Sequence, residues 1–197
     1  LLESGIDLHN YQPTADDIIK ISDCDLFIYA GGESDEWVED ALEGALNKDM
    51  KVVNLLEVIG DNAKEEELKE GMQTEEEEGE EEEEEYDEHV WLSLRNAKLL
   101  CAEITDCLCW IDAENADKYN ANLTAYSAEL DALDSDFSAL VNSAETRTLV
   151  FGDRFPFRYF VDDYGLDYYA AFSGCSAETE ASFETVIFLA PIPNPRS

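Results

Sequence analysis

Two short apolar runs with a helical segment between them constrain the fold of this chain more than any other feature. The run 25–30 (DLFIYA) is followed by Gly31 and Gly32 and is typical of a buried strand that ends in a turn. The run 51–59 (KVVNLLEVI) predicts the next strand, and Ser34 is predicted to cap the helix between the two. This order of strand, helix and strand at short spacing indicates a parallel sheet in an α/β fold.

Helical periodicity and strand signals continue along the chain. A helix is predicted from Thr14, its N-cap, to Ser22. A later helix is predicted over 94–111, and a strand, a helix, a strand and a helix over 148–152, 155–164, 168–172 and 180–190. The proline-rich end APIPNPRS is expected to be extended and loose.

One helix is predicted to be much longer than the others, over 113–144. Its 32 residues would span about 48 Å. Apolar side chains recur along it at steps of three and four: Tyr119, Leu123, Tyr126, Leu130, Leu133, Phe137 and Leu140. A dimeric coiled coil would produce this stripe. Few Lys or Arg residues flank it to pair across a dimer, so we expect the helix to pack against the chain's own lobes.

Charge excludes several classes of partner. The chain has 12 Lys and Arg against 48 Asp and Glu, a net charge of −36. A protein this acidic repels phosphate backbones and anionic lipid headgroups, and we therefore expect no nucleic-acid binding. Its natural counter-ions are metal ions and basic partners.

An acidic segment interrupts the α/β pattern. The stretch 60–88 has at its centre ten glutamates around Gly79, in residues 75–85. Like charges repel and no core can form from them, so a flexible, solvated loop is predicted. The loop is either an insert without function or a collector of cations, and both interpretations stay open.

The chain has five cysteines, but none belongs to a paired CxxC array. A structural zinc ribbon is therefore not expected, and most of the cysteines are interpreted as small buried apolar residues. No apolar run approaches the length of about 18 residues that a membrane-spanning helix needs.

Two histidines and one aspartate are the candidate metal ligands. His9 and His89 each follow an acidic neighbourhood and precede a helix, on loops of the kind that hold ligands in open α/β sheets. Asp153 directly follows the predicted strand 148–152 and is either the N-cap of the next helix or a carboxylate ligand. Two imidazoles and a carboxylate on three loops would form a divalent-metal site, although spacing alone leaves this undecided.

Four segments together resemble a known family: DLHNYQPTADD, DLFIYAGGESDEWVEDAL, DEHVWLSLRNAKLL and TLVFGDRFPFRYFVDDYGLDYYAAFSG. They are similar to the zinc- and manganese-binding solute-binding proteins of ABC importers, the cluster A-I or ZnuA-like family, from about Gly5 to Leu189. The resemblance implies two lobes of parallel sheet flanked by helices and joined by one long backbone helix. The lobes would be 1–111 and 146–197, joined by 112–145, with the chain short for the family at both ends.

The resemblance also implies a ligand set between the lobes. His9 matches the family's first histidine ligand. His89 matches the second, in the pattern D-P-H-x-W-x-[SD]-P, where Glu88 and Leu94 stand in place of the prolines. Asp153 falls where zinc members have a third histidine and manganese members a glutamate, which leaves metal preference open. Glu180 is a candidate fourth ligand, or else a cap of the next helix.

The function implied by the resemblance is high-affinity capture of Zn²⁺, with Mn²⁺ as the alternative, for delivery to the membrane permease of an ABC importer. Such a protein is an extracellular, cell-surface or periplasmic lipoprotein and not an enzyme. Zinc members often carry a His-rich, acidic, flexible loop at the position of 60–88. Here the loop is acidic without histidine, and it would raise the local cation concentration. Two other classes stay open: a metalloenzyme with a two-histidine, one-carboxylate site, and an acidic protein that binds basic partners.

Overall fold

The computed structural model describes residues 9, 11–73, 85–175 and 180–192. In this part of the chain, two parallel two-stranded sheets are flanked by helices, and a long helix connects them in sequence. The elements in chain order are α1 (Ala15–Asp23), β1 (Leu26–Tyr29), α2 (Trp37–Glu43), β2 (Lys51–Asn54), α3 (Leu55–Ile59), α4 (Leu94–Ile111), α5 (Ala116–Ser143), β3 (Thr148–Arg154), α6 (Arg158–Tyr164), β4 (Asp167–Phe172) and α7 (Phe183–Leu189).

The first sheet is parallel, as the sequence predicts, with Leu26 opposite Lys51 and Tyr29 opposite Asn54. The prediction of one strand over the whole run 51–59 is wrong. The strand ends at Asn54, whose side chain accepts a hydrogen bond from the backbone N–H of Glu57 and so caps α3. An apolar run of this length fits a strand or a buried helix equally well, and the asparagine cap decides between them here.

The helix between these strands begins later than predicted. Ser34 lies in a 3-10 turn (Glu33–Asp35), and α2 begins at Trp37 without a side-chain cap. Its apolar side packs on the sheet, where Ile21, Phe27 and Val38 form a buried cluster. The serine is therefore available for contacts at the end of β1 instead of capping a helix.

Thr14 is the N-cap of α1, as the sequence predicts, and it forms a capping box with Asp17. Thr14 accepts a hydrogen bond from the backbone N–H of Asp17, and the Asp17 carboxylate accepts one from the backbone N–H of Thr14. These reciprocal bonds satisfy two backbone donors at the helix start. The cap fixes the direction in which the chain leaves the segment that carries His9.

The long helix packs on its neighbours along only part of its surface. Phe137 of α5 contacts Phe160 of α6 with ring centroids 5.1 Å apart, and α5 also packs along α4. Leu130 is buried, but Leu133 and Leu140 of the same stripe are 43% and 64% exposed. The expectation that the helix packs against its own chain is confirmed. Only part of its apolar stripe is buried by that packing.

The second sheet pairs Thr148 with Asp167 and Phe151 with Ala170, in parallel. Its register shifts between Phe151 and Arg154, and β3 continues through Asp153 to Arg154. Asp153 therefore lies within the strand's last residues and does not follow the strand. It does not cap α6 either, because that helix begins at Arg158 after Phe157.

Part of the acidic segment 60–88 is packed, which corrects the prediction of a solvated loop throughout. Met72 contacts the apolar core of the second sheet, where Phe155 and Tyr168 are buried. The backbone N–H of Gln73 donates to the carbonyl of Ala171 in β4. The segment from 66 to 73 therefore belongs to the second lobe's surface.

The two ends of the glutamate-rich stretch pair with each other. Glu65 and Tyr86 form an antiparallel bridge, and the backbone N–H of Glu66 donates to the carbonyl of Glu85 at 2.8 Å. We call residues 64–66 and 85–87 the stem. Most of the run 75–85 and the predicted loose tail beyond residue 192 lie outside the described residues.

Tyr159 joins the stem to the second lobe. Its hydroxyl donates to the carbonyl of Asp87 at 2.8 Å and accepts from the backbone N–H of Lys64 at 3.1 Å. Its ring lies in a buried cluster with Ile59, Val90 and Leu100. The stem and the start of α4 are thereby held against α6.

None of the described helices combines the length and apolar character needed to cross a bilayer. All five cysteines lie in the described part of the chain and are free thiols.

Candidate metal centre between the lobes

The two histidines predicted as ligands lie together. His9 comes from the segment before α1, and His89 is the second residue after the stem. Their ring centroids are 5.2 Å apart with planes tilted by 49°. His89 is buried, at 7% exposure. Two imidazoles bound to one tetrahedral zinc at about 2.1 Å would have their ring centroids about 5 Å apart. The observed spacing therefore fits a shared metal ion.

Asp87 orients His89. The carboxylate of this buried aspartate accepts hydrogen bonds from the backbone N–H of His89 at 2.8 Å and from its Nδ1 at 3.0 Å. An Nδ1–H that donates to a carboxylate leaves Nε2 with its lone pair, as a metal ligand requires. The arrangement is the carboxylate–histidine pair typical of metal sites.

Ser34 connects His9 to Glu88. Its hydroxyl lies 3.2 Å from Nδ1 of His9, and its backbone N–H donates to Oε1 of Glu88 at 2.8 Å. Nδ1 of His9 is also 3.9 Å from Oε2 of Glu88. The turn after β1 thus forms one wall of the site.

Two glycines allow the close approach of backbone to these side chains. A Cβ at Gly32, whose φ is +82°, would lie 2.6 Å from Oε1 of Glu88. A Cβ at Gly174 would lie 3.1 Å from Nδ1 of His89. A side chain at Gly32 would displace Glu88, and one at Gly174 would crowd His89, so both glycines shape the site.

Cys175 enters the same space from the second lobe. It follows β4, and its backbone N–H donates to Oε1 of Glu66 in the stem at 3.0 Å. One potential ligand atom from each of His9, Glu88 and Cys175 lies within 4.8 Å of the other two. These three residues come from three separate parts of the chain.

Buried carboxylates surround the histidines. Burial raises the pKa of Glu88 and also that of Asp35, which accepts a hydrogen bond from the backbone N–H of Gly31 at 3.0 Å. Burial disfavours the charged form of a carboxylate, and a nearby cation favours it. This is the electrostatic environment that a divalent cation would stabilise.

Asp153 and Glu180 do not join this group. Both are exposed, and Oδ1 of Asp153 accepts a hydrogen bond from the backbone N–H of Arg154 at 2.8 Å. Glu180 precedes α7, whose N-cap is Ser182. Among the described residues, neither contributes to the set within 4.8 Å, so their ligand roles stay predictions.

Sequence reasoning did not select Glu88 or Cys175. Glu88 was visible only as a departure from the family pattern, where a proline precedes the second histidine. Cys175 was interpreted with the other cysteines as a buried apolar residue. The available signal was its position shortly after the strand at 168–172, because the carboxyl ends of parallel strands are where α/β folds bind ligands.

The comparisons with known proteins agree with the fold. Residues 1–191 match the family model described as "ZnuA: Zinc-uptake complex component A periplasmic". The zinc-binding lipoprotein AdcA of Streptococcus pneumoniae serotype 4 is 33% identical over 92% of this chain and 35% of its own length. The high-affinity zinc uptake system protein ZnuA of Bacillus subtilis is 33% identical over 92% of this chain and 56% of its own length.

A solved structure supports the same assignment. The Zn(II)-bound ZnuA-like domain of Streptococcus pneumoniae AdcA superposes with a TM-score of 0.67 at 28% identity, over 93% of this chain and 61% of that one. The present chain spans only about a third to a half of the curated relatives named above. The family model describes a component of a zinc-uptake complex, in agreement with the resemblance found in the sequence. The chain belongs to the ZnuA family of periplasmic zinc-uptake components.

Proposed function

We propose that this chain captures Zn²⁺ between its two lobes and delivers it to the permease of an ABC importer. The observation that carries the proposal is the meeting of His9 and His89, at 5.2 Å between ring centroids, with Asp87 bonded to Nδ1 of His89. The names of the relatives support it, since they describe a zinc-binding lipoprotein and a zinc uptake protein. The metal is cargo, to be bound and released unchanged.

The donor set favours zinc over manganese. Imidazole nitrogens suit Zn²⁺, whereas Mn²⁺ prefers carboxylate, carbonyl and water oxygens. At least two of the proposed donors here are nitrogens. We therefore expect Zn²⁺ to bind more tightly than Mn²⁺, which the same titration with both metals measures.

The place of action follows from the uptake role. The family description is periplasmic, and one relative is a lipoprotein, which supports a position on the outer side of a membrane next to the permease. The acidic surface, at a net charge of −36, would attract cations towards the site from that side.

Asp153 and Glu180 remain proposed ligands. Neither belongs to the described group of side chains whose ligand atoms lie within 4.8 Å of one another. Alanine variants at the two positions test them separately, because loss of a true ligand lowers zinc affinity by at least about tenfold.

A competition titration with a zinc chelator tests the function directly. The wild-type chain should bind one equivalent of Zn²⁺, and His89→Ala should lower its affinity by more than roughly tenfold. Glu85→Ala is the control, since this exposed stem residue lies four positions before His89. Equal zinc affinity of the two variants would refute the assignment of the site.

A further inference from the structure

The carboxylate of Glu88 has one oxygen without a partner. Its side chain is only 2% exposed; Oε1 accepts the backbone N–H of Ser34, but no hydrogen bond reaches Oε2. An unsatisfied buried carboxylate oxygen costs free energy. That cost is removed if a cation sits beside Oε2, on the side that faces His9 at 3.9 Å.

Cys175 is held on the opposite wall of the same space. Its backbone is fixed by Glu66, and the neighbouring Gly174 lies against the ring of His89.

We propose that Glu88 and Cys175 are zinc ligands and complete, with His9 and His89, a four-coordinate site with two imidazoles, one carboxylate and one thiolate. This inference rests on the proposed function and specifies its ligands. In this site, Cys175 is the zinc ligand that comes from the second lobe. Closure of the lobes would then depend on a sulfur–zinc bond.

Three of the four proposed ligands already lie close together. For His9, Glu88 and Cys175, an ion at the centre of a triangle with 4.8 Å edges would be about 2.8 Å from each corner. Zinc bonds are about 2.0–2.2 Å to nitrogen and oxygen and about 2.3 Å to sulfur, so movements of roughly 0.5–0.8 Å would bring these three atoms to the ion. His89 is outside this set, so its ring would also have to move when zinc binds.

A thiolate ligand has a consequence for selectivity. Soft thiolate favours Zn²⁺ and disfavours Mn²⁺, which binds oxygen donors. Cys175→Ser should therefore weaken zinc binding by at least about tenfold and change manganese binding little. Glu88→Gln, which preserves the shape and the bond to Ser34, should also weaken zinc binding by at least about tenfold.

The test uses Co²⁺ as a spectroscopic substitute for zinc in the full chain. Wild type should bind one equivalent and show a near-ultraviolet thiolate-to-cobalt charge-transfer band. Cys175→Ser should lose the band. Cys101→Ser, which replaces a half-buried cysteine on α4, is the control and should keep it. X-ray absorption of the wild-type chain loaded with one equivalent of zinc should show a sulfur neighbour at about 2.3 Å, independently of how the variants fold.

The possible failures are distinguishable. If wild type binds neither Zn²⁺ nor Co²⁺ stoichiometrically, the proposed function fails. If it binds both but shows no sulfur neighbour, or if the band survives in Cys175→Ser, the Cys175 assignment is overturned while metal capture stands. If Glu88→Gln binds zinc as wild type does and Asp153→Ala does not, the carboxylate ligand is Asp153 and the Glu88 assignment is overturned.

Discussion

Asp87 should control zinc affinity without touching the metal. Its carboxylate accepts two hydrogen bonds from His89, at 2.8 Å from the backbone N–H and 3.0 Å from Nδ1. Asp87→Asn preserves the size of the side chain but removes the charged carboxylate that orients the ring of His89 through Nδ1. Loss of such a partner lowers metal affinity by about 10–100-fold, or about 1.4–2.7 kcal/mol.

The assay is a chelator competition titration of the metal-free chain, with the melting temperature measured for each variant. Asp134→Asn is the matched control, because Asp134 also accepts a hydrogen bond, from the buried Tyr164 at 2.8 Å, but lies on α5. We expect the control to bind zinc as wild type does. If Asp87→Asn folds and binds zinc with wild-type affinity, the proposed orienting role of Asp87 is wrong.

Four further predictions concern stability, the acidic stretch and pH. Tyr159→Phe should lower the free energy of unfolding, measured in urea, by about 1–3 kcal/mol, because the carbonyl of Asp87 and the N–H of Lys64 lose their hydrogen-bond partner. Tyr126→Phe, on an exposed ring, is the control and should have little effect. Hydrogen bonds from Thr14 lower the pKa of Asp17, so its ionised carboxylate stabilises the folded state at neutral pH. This stabilisation is lost as the pH falls through the pKa of Asp17 in the folded state. Asp17→Asn should therefore be less stable than wild type at neutral pH, and the two should have similar stability in acid. Replacement of the nine glutamates in residues 74–84 by serine should leave zinc affinity unchanged. It should slow zinc association, measured by stopped flow, at low salt only, because salt screens the electric field of the glutamates. A loss of zinc affinity at both salt concentrations would show that one of these glutamates is a ligand. Zinc affinity should fall between about pH 7 and about pH 5, since imidazole must lose its proton to bind, and a flat profile would indicate a site made of carboxylates.

The third of these experiments differs from a deletion of residues 71–85, which the sequence alone would suggest. Met72 packs on the second core and Gln73 bonds to β4, so their removal would disturb the lobe as well as the charge. Substitution at constant length within 74–84 changes the charge alone.

Local patterns in the sequence were sufficient for the fold class and several elements. The bounds of α4 and the N-cap at Thr14 were predicted because a cap and an amphipathic stripe are formed by residues close together in the chain. The parallel sheets followed from the order of strands and helices. His9 and His89 were found because they lie in segments that match a family pattern.

The tertiary structure decided what distant residues do together. The run 51–59 splits at Asn54 because the asparagine caps a helix, and hydropathy does not distinguish these outcomes. Asp153 was predicted from its place after a strand, but β3 extends through it and leaves it exposed. Glu88 and Cys175 are 87 residues apart in the chain, and only the packing of the second lobe against the stem brings both beside His9. Sequence patterns reveal residues whose role is set by near neighbours, whereas a ligand set is a property of distances in space, which the fold alone determines.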